Sequence, residues 1–203
     1  METSLFPLQD LLSYTLAAFA LVGSPGPATL SLAATGAAFG ARRGLGYLLG
    51  IEAGMIVIMI ITSTGVMGAL MAVPRAAPLI TSLGAAYILF LAYKIATSKS
   101  FKATKEGHAS PSFLGGLFLS LVNPKAYASL AALFSGFVLI KGGGWDDALA
   151  KGIVLLVILT LVDLAWLCLG SVLVQRIKSA KVARLVNVIF AVLLLVSVAF
   201  ALV

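Results

Sequence analysis

Apolar residues occur in long runs along the chain, and short polar connections separate these runs. A helix needs about 20 mostly apolar residues to cross a membrane. Six stretches meet this requirement: 8–40, 44–71, 75–96, 112–140, 148–173 and 183–203. The pattern predicts an all-α integral membrane protein with about six transmembrane helices that fill nearly the whole chain.

Prolines interrupt two of the six stretches. The first contains Gly23-Ser-Pro-Gly-Pro27, and the fourth contains Val122-Asn-Pro-Lys125. Proline has no backbone N–H and disfavours helix in the residue before it, so we expect helices 1 and 4 to be broken. Unpaired backbone groups at membrane depth are tolerated only inside protein or beside a polar cavity. Paired breaks of this kind indicate where a secondary transporter binds its substrate.

The two halves of the chain repeat one order of features. Each has a broken stretch, then a stretch with one acid, Glu52 or Asp163, and then a stretch with little charge. Because three spans per half reverse the orientation of the second half, this order predicts two inverted three-helix repeats. We expect the first repeat over 1–97, a basic cytoplasmic connection over 98–111 and the second repeat over 112–203.

Basic residues divide unevenly between the two predicted sides of the membrane. If all six stretches cross, one side has Arg42, Arg43, Lys94, Lys99, Lys102, Lys105, Arg176, Lys178, Lys181 and Arg184. The other side has Arg75, Lys141 and Lys151. Since cytoplasmic loops carry the excess of Lys and Arg, both termini are expected outside the cytoplasm. A broken stretch that re-enters instead of crossing would reverse everything after it.

The amino-acid composition also indicates an integral membrane protein. The chain is 61% hydrophobic and 10% charged, and its mean hydropathy is +1.13, which is far from soluble domains. The net charge of +7 comes from short connections, so we expect contact with membrane lipid and no nucleic acid. One cysteine, Cys168, excludes a disulfide framework and a thiolate metal site, and one histidine, His108, excludes a histidine cluster for metal. We expect no cofactor and no enzymatic activity.

Three charged residues lie well inside the predicted spans: Glu52, Lys125 and Asp163. Such residues usually mark an ion or substrate path. At a rise of 1.5 Å per residue, the two acids lie about 12 Å and about 11 Å from the same membrane boundary. We expect at least one acid to bind a substrate ammonium or a coupling proton. The alternatives are a structural pair of an acid with Lys125, or a lysine that caps carbonyls of its interrupted helix.

The breaks suit a zwitterionic substrate. A half-helix that begins after a proline presents free N–H groups to a carboxylate, and the exposed carbonyls suit a cation. The predicted binding residues are Pro25, Gly26, Pro27, Glu52, Asn123, Pro124, Lys125 and Asp163. Thr160 and Trp166 share a helical face with Asp163 and are predicted to wall the same cavity. Simple proline kinks and ordinary packing of Trp166 are the alternatives.

Glycines recur every four residues in the second stretch, at Gly46, Gly50 and Gly54. Such a ridge of small residues lets another helix approach closely. At about 100° per residue, Glu52 points away from the ridge, so the opposite face would present the acid to a cavity. The neighbouring helix can belong to the same chain or to a second copy, which leaves a homodimer open.

Several longer motifs occur in order over most of the chain. They are Ser24-Pro-Gly-Pro27, Gly40-Ala-Arg-Arg-Gly44, Leu83-Gly-Ala-Ala-Tyr87-Ile-Leu and Phe113-Leu-Gly-Gly-Leu-Phe-Leu-Ser-Leu-Val-Asn-Pro-Lys-Ala126. Together they resemble the LysE and RhtB family of bacterial amino-acid exporters. The resemblance implies a multi-pass protein of the bacterial inner membrane, in which the uneven Lys and Arg count would place both termini in the periplasm. It also implies export of an amino acid or derivative, with protons as coupling ion.

Two other functions fit the same residues. A divalent cation such as Mn²⁺ could use the two carboxylates, and a membrane scaffold would need no transport at all. Export needs energy, and the chain has no nucleotide-binding motif, so proton antiport is the preferred interpretation. The pattern fits lysine, threonine, homoserine, leucine or cysteine equally well as substrate.

Overall fold

The computed structural model describes residues 8–65, 76–97, 110–175 and 179–202. Within these ranges the regular structure is entirely helical. The helices are α1 (Leu8–Gly23), α2 (Pro27–Phe39), α3 (Ala41–Ser63), α4 (Ala76–Ala96), α5 (Phe113–Leu121), α6 (Pro124–Gly136), α7 (Gly144–Gln175) and α8 (Ala180–Leu202). Most of the predicted basic connection, residues 98–109 with His108, lies outside the described residues.

Both predicted breaks are confirmed. The axes of α1 and α2 differ by 60°, and those of α5 and α6 differ by 63°. Pro27 and Pro124 each occupy the first turn of the helix that follows the break. Proline fits there because an N–H at that position has no helical partner and because its fixed φ suits a helix start.

The helices are apolar enough for an integral membrane protein. In the described part of the chain, Ala41–Ser63 and Gly144–Val174 are each long enough to cross a membrane, and each bent pair can form one further span. The structure therefore contains two to four such spans by length and composition. Shorter apolar helices cover Ser82–Ala96 and Arg184–Ser197. Six spans remain a prediction.

Polarity is reversed relative to a soluble protein. Leu49, Leu161 and Leu169 are each more than half exposed on the outer surface. In contrast, Glu52 and Asp163 are buried inside the bundle. Because a soluble protein rarely exposes so much contiguous apolar surface, this distribution fits a lipid environment.

One close contact joins α2 to α7. Gly36 of α2 lies against the backbone of Leu167, and Gly170 of α7 lies against the backbone of Ala33. A methyl group at either glycine would collide with backbone atoms of the other helix. The two helices therefore approach as closely as glycine allows.

A matching contact joins α3 to α5. Gly50 lies against the backbone of Phe113, Gly54 packs on the same helix, and Gly116 of α5 lies against α3 in return. A side chain at Gly46 would meet nothing within 4 Å. Only Gly50 and Gly54 of the three predicted glycines therefore form the contact, because α5 begins at Phe113 and none of the described helices lies opposite Gly46. The partner of this ridge belongs to the same chain.

Candidate functional site

The two breaks meet at Lys125. Its Nζ donates hydrogen bonds to the Ser24 carbonyl oxygen at 2.6 Å, to Ser24 Oγ at 2.9 Å and to the Pro25 carbonyl oxygen at 3.5 Å. Lys125 therefore caps carbonyls exposed by a break, as one sequence interpretation proposed, but they belong to the first break and not to its own. An ammonium group has three protons, so these contacts use its full donor capacity.

Gly26 provides the space that Lys125 needs. A methyl group at Gly26 would lie 2.8 Å from Lys125 Cδ and 2.9 Å from its Nζ. The backbone of Gly26 is extended, with φ −171°, a conformation that any residue can adopt. Glycine is thus required here for the close approach of the lysine and not for its conformational freedom.

The helices after the two breaks are capped differently. Asn123 Oδ1 accepts a hydrogen bond from the Lys125 N–H at 3.2 Å, which caps α6. In the first break, the Gly26 N–H donates to Thr29 Oγ1 at 3.0 Å. Within the described residues, the N–H groups of Ala28 and Thr29 have no hydrogen-bond partner. The start of α2 therefore keeps two free donors at the positive end of a helix dipole.

A cavity of about 40 Å³ lies between the breaks and helices α3, α6 and α7. Its polar lining comes from Thr29, Asn123, Lys125, Ser129 and Asp163. Its larger apolar lining residues are Leu21, Val22, Ile51, Met55 and Leu159. We call it the break cavity. The break cavity has room for a few water molecules. Because ligand sites for small molecules usually measure about 300–1,000 Å³, it must widen to admit an amino acid.

The two predicted acids lie near each other in different surroundings. Asp163 lines the break cavity and is 2% exposed, and no described residue forms a hydrogen bond with its Oδ2 atom. Glu52 does not line the break cavity, and its Oε2 accepts a hydrogen bond from Thr160 Oγ1 at 3.1 Å. The carboxyl groups are close enough for their charges to interact. The structure thus brings together the acids of α3 and α7.

Other predicted site residues lie around the breaks without lining the cavity. Trp166 Nε1 donates to the Gly23 carbonyl oxygen at 3.3 Å, so the indole satisfies the end of α1. Thr160 contacts Glu52 and is also outside the lining. Pro25 is exposed, whereas Pro27 is buried at the first turn of α2. Pro124 has the same position in α6.

Sequence reasoning missed several lining residues. Ser129 and Thr29 have small hydroxyl side chains that the analysis of charged residues passed over. Ser129 follows Lys125 by four positions in a helix, so helical spacing would have placed both on one face. Thr29 follows Pro27 within the first turn, where a hydroxyl commonly accepts backbone hydrogen bonds. These two patterns were the available signals.

A buried ion pair was also missed. Lys151 Nζ lies 2.7 Å from Asp147 Oδ2, and both side chains are about 5% exposed. Asp147 Oδ1 accepts from the N–H groups of Leu139 and Ile140 at 2.6 and 2.9 Å. Lys151 also donates to the Phe134 carbonyl oxygen at 2.7 Å. Lys151, which the sequence analysis counted among the basic residues of the outer side, is therefore buried in an ion pair. The i, i+4 spacing to Asp147 was the available signal.

The described residues contain no group of three or more His, Cys, Asp or Glu side chains that could hold a metal ion. The acids nearest the cavity are a pair only. A divalent cation there would need further ligands from backbone carbonyls or water.

The sequence matches a known family of proteins. Residues 19–203 match the LysE type translocator family. The chain belongs to this family. As a LysE type translocator it is a multi-pass membrane transporter, which confirms the class predicted from the breaks.

Several relatives are similar over most of this translocator. An uncharacterized membrane protein of Vibrio cholerae is 28% identical and aligns over 88% of this chain and 89% of its own. A cysteine/O-acetylserine efflux protein of Escherichia coli is 31% identical over 84% of this chain and 86% of its own. A leucine efflux protein of an Enterobacter species is 31% identical over 66% of this chain and 65% of its own. No solved structure matches.

Proposed function

We propose that this translocator exports a small amino acid or derivative across the bacterial inner membrane in exchange for protons. The observation that carries the proposal is the break cavity, which places the acid Asp163, the base Lys125 and the start of α2 around one space. A zwitterion needs groups of both signs at short range. Relatives named for efflux of leucine and of cysteine or O-acetylserine support the same substrate class.

Each part of an amino acid has a partner in this arrangement. The substrate carboxylate accepts hydrogen bonds from the free N–H groups of Ala28 and Thr29. Its ammonium group binds Asp163 Oδ2, which is buried and has no hydrogen-bond partner among the described residues. The side chain packs against apolar lining residues such as Ile51 and Met55. Lys125 holds the two breaks together and adds a positive charge beside the carboxylate.

The packing of the helices supports an inverted-repeat mechanism. The broken span of each half packs against the second span of the other half, through the α2–α7 and α3–α5 contacts. The third spans, α4 and α8, pack on each other. Movement of one repeat against the other would widen the break cavity toward one side at a time, which is alternating access.

Charge distribution supports six spans with both termini in the periplasm. With Lys151 buried in an ion pair, only Arg75 and Lys141 remain on the predicted outer side. The difference in Lys and Arg between the two sides is therefore larger than the sequence count, and the orientation rule depends on that difference.

Counterflow in proteoliposomes tests the proposal. We expect purified protein to exchange radiolabelled amino acids with an unlabelled internal pool. Asp163→Asn should abolish exchange, because it removes the charge that holds the ammonium group. The matched control is Asp146→Asn, an exposed acid on the same helix, which should exchange normally. Uptake of Mn²⁺ in place of amino acids would favour the divalent-cation function, and no transport by folded protein would favour the scaffold.

A further inference from the structure

Glu52 and Asp163 are two buried acids with different surroundings. Asp163 faces the break cavity, whereas Glu52 faces Thr160 outside it. We propose that they divide the work of exchange: Asp163 binds the substrate ammonium, and Glu52 carries the coupling proton. Thr160 is the positioning residue, because its hydroxyl can form a hydrogen bond with Glu52 in both the protonated and the ionised state. This inference rests on the proposed export by proton exchange.

The Thr160 hydroxyl lies between two oxygen atoms. Its Oγ1 is 2.9 Å from the Leu156 carbonyl oxygen and 3.1 Å from Glu52 Oε2. A hydroxyl has one proton and two lone pairs, and a carbonyl oxygen can only accept. When Thr160 donates to Leu156, its Oγ1 can only accept from Glu52, which must then hold a proton. When the Thr160 hydroxyl rotates its proton toward Glu52, it donates a hydrogen bond to the ionised carboxylate.

The heavy atoms therefore need not move when Glu52 gains or loses its proton. Rotation of one hydroxyl exchanges the two hydrogen-bond patterns. The other carboxyl oxygen, Glu52 Oε1, is buried and has no hydrogen-bond partner in the described part of the chain. An unpartnered oxygen is far less costly on a neutral acid than on a carboxylate. The unpartnered Oε1 therefore favours the protonated form of Glu52 in this conformation. Asp163 Oδ2 is also unpartnered among the described residues, but Asp163 lines the break cavity, where a substrate ammonium can pair with its charge.

Few other titratable groups face Glu52. Helices α2, α5, α6 and α7 pack against α3. Asp163 faces it from α7, and Lys125 and Tyr127 lie on α6; α2 and α5 have no titratable side chain. Tyr47 lies on α3 itself. Because Lys125 donates its protons to the first break, Asp163 is the neighbour whose charge Glu52 senses.

This neighbourhood couples substrate to proton. An ammonium group bound at Asp163 adds a positive charge near Glu52 and favours its ionised form, so substrate binding expels the proton. By reciprocity, protonation of Glu52 removes a negative charge near the site and weakens ammonium binding. A carrier that holds either substrate or proton, but rarely both, exchanges one for the other.

Proton release on substrate binding tests this assignment. Purified protein in weakly buffered detergent receives L-leucine or O-acetyl-L-serine while an indicator dye follows pH. We expect wild type to release about one proton per substrate bound, with affinity that rises at least about 5-fold from acid to alkaline pH. Glu52→Gln should still bind and exchange substrate, but it should release no proton and show affinity independent of pH.

Variants of Thr160 separate positioning from structure. Thr160→Val leaves Glu52 without a partner, which harms the ionised form most, so we expect the pH midpoint of affinity to rise by about one unit. Thr160→Ser keeps the hydroxyl and should restore the wild-type profile. The matched control is Thr15→Val. Thr15 makes the same bond to a carbonyl four residues earlier, at 2.7 Å, and bonds to no carboxylate among the described residues.

The outcomes separate this inference from the proposed function. If exchange and proton release persist in Glu52→Gln, Glu52 is not the carrier of the coupling proton, and the proton is assigned to Asp163. The proposed export function is unaffected by that result. Folded Glu52→Gln that binds no substrate would assign Glu52 to the substrate site and also overturn it. Wild type that binds and exchanges neither probe nor any other amino acid would overturn the proposed function itself.

Discussion

Lys125 Nζ lies 2.6 Å from the carbonyl oxygen of Ser24, a residue 101 positions earlier in the chain. This hydrogen bond joins the second break to the first. Each break belongs to a different predicted repeat, so a movement of one repeat against the other must break or exchange this bond. Under the proposed mechanism, Lys125 would link substrate binding to the opening of the cavity.

Lys125→Met should impair transport more than folding. The variant keeps the length of the side chain and removes the ammonium, so the Ser24 carbonyl loses its partner. We expect a loss of unfolding free energy of about 1–3 kcal/mol and a much larger loss of exchange. Counterflow and thermal unfolding in detergent measure the two effects. Lys141→Met, at an exposed connection, is the control; equal exchange in both variants would contradict the role of Lys125.

Gly26→Ala should disrupt the same bond from the other side. The added methyl group would displace Lys125 Cδ and Nζ, which lie 2.8 and 2.9 Å from its position. We expect reduced exchange in a protein that still folds, because the extended backbone at Gly26 accepts alanine. Gly46→Ala is the matched control, since nothing lies within 4 Å of its methyl group. Counterflow that stays normal in both variants would show that the position of Lys125 is unimportant.

Local sequence predicted the breaks but not their partners. Pro27 and Pro124 end one helix and begin the next through their own ring geometry, which depends on nearby residues only. The bond from Lys125 to Ser24 depends on how two distant segments pack, and no local pattern encodes this. Spacing likewise identified the face of α3 that carries Gly50. It could not show that α5 begins at Phe113 and leaves Gly46 uncovered.

The acids and the missed ion pair show the same limit. The scarcity of charge inside the spans identified Glu52 and Asp163, because a buried charge in a membrane is costly. Their different surroundings arise from side chains of other helices. Lys151 was counted among the charges of the outer side because it stands near the start of an apolar stretch, yet it is buried in an ion pair on α7, which begins at Gly144.

Asp147→Asn should destabilise the protein strongly. It leaves Lys151 buried without its anion and weakens two backbone hydrogen bonds. Breaking a buried pair from one side costs about 3–5 kcal/mol. Asp147→Asn combined with Lys151→Met should be less destabilised than Asp147→Asn alone, since no charge is then left unpaired. Thermal unfolding of the three proteins measures this, with Asp146→Asn as control; a double variant no better than the single one would contradict the buried-pair argument.

Gly36→Ala should loosen the contact between α2 and α7. Its methyl group would meet the backbone of Leu167, which cannot turn aside as a side chain can. We expect a loss of stability of about 1–3 kcal/mol, seen as a lower unfolding temperature. Gly152→Ala on α7 has open space around it and should be neutral or slightly stabilising, because alanine favours helix. Equal unfolding temperatures would mean that the helices can separate without cost.

Accessibility of single cysteines tests the orientation and the span count together. In a Cys168→Ser background, Lys141→Cys should react with an impermeant maleimide added to whole cells, whereas Arg43→Cys should react only after lysis. The reason is that three predicted spans, including the bent α5–α6 pair, separate these exposed positions. If both cysteines react from the same side, the bent pair re-enters and does not cross. If the two positions exchange their accessibility, the orientation inferred from Lys and Arg is reversed.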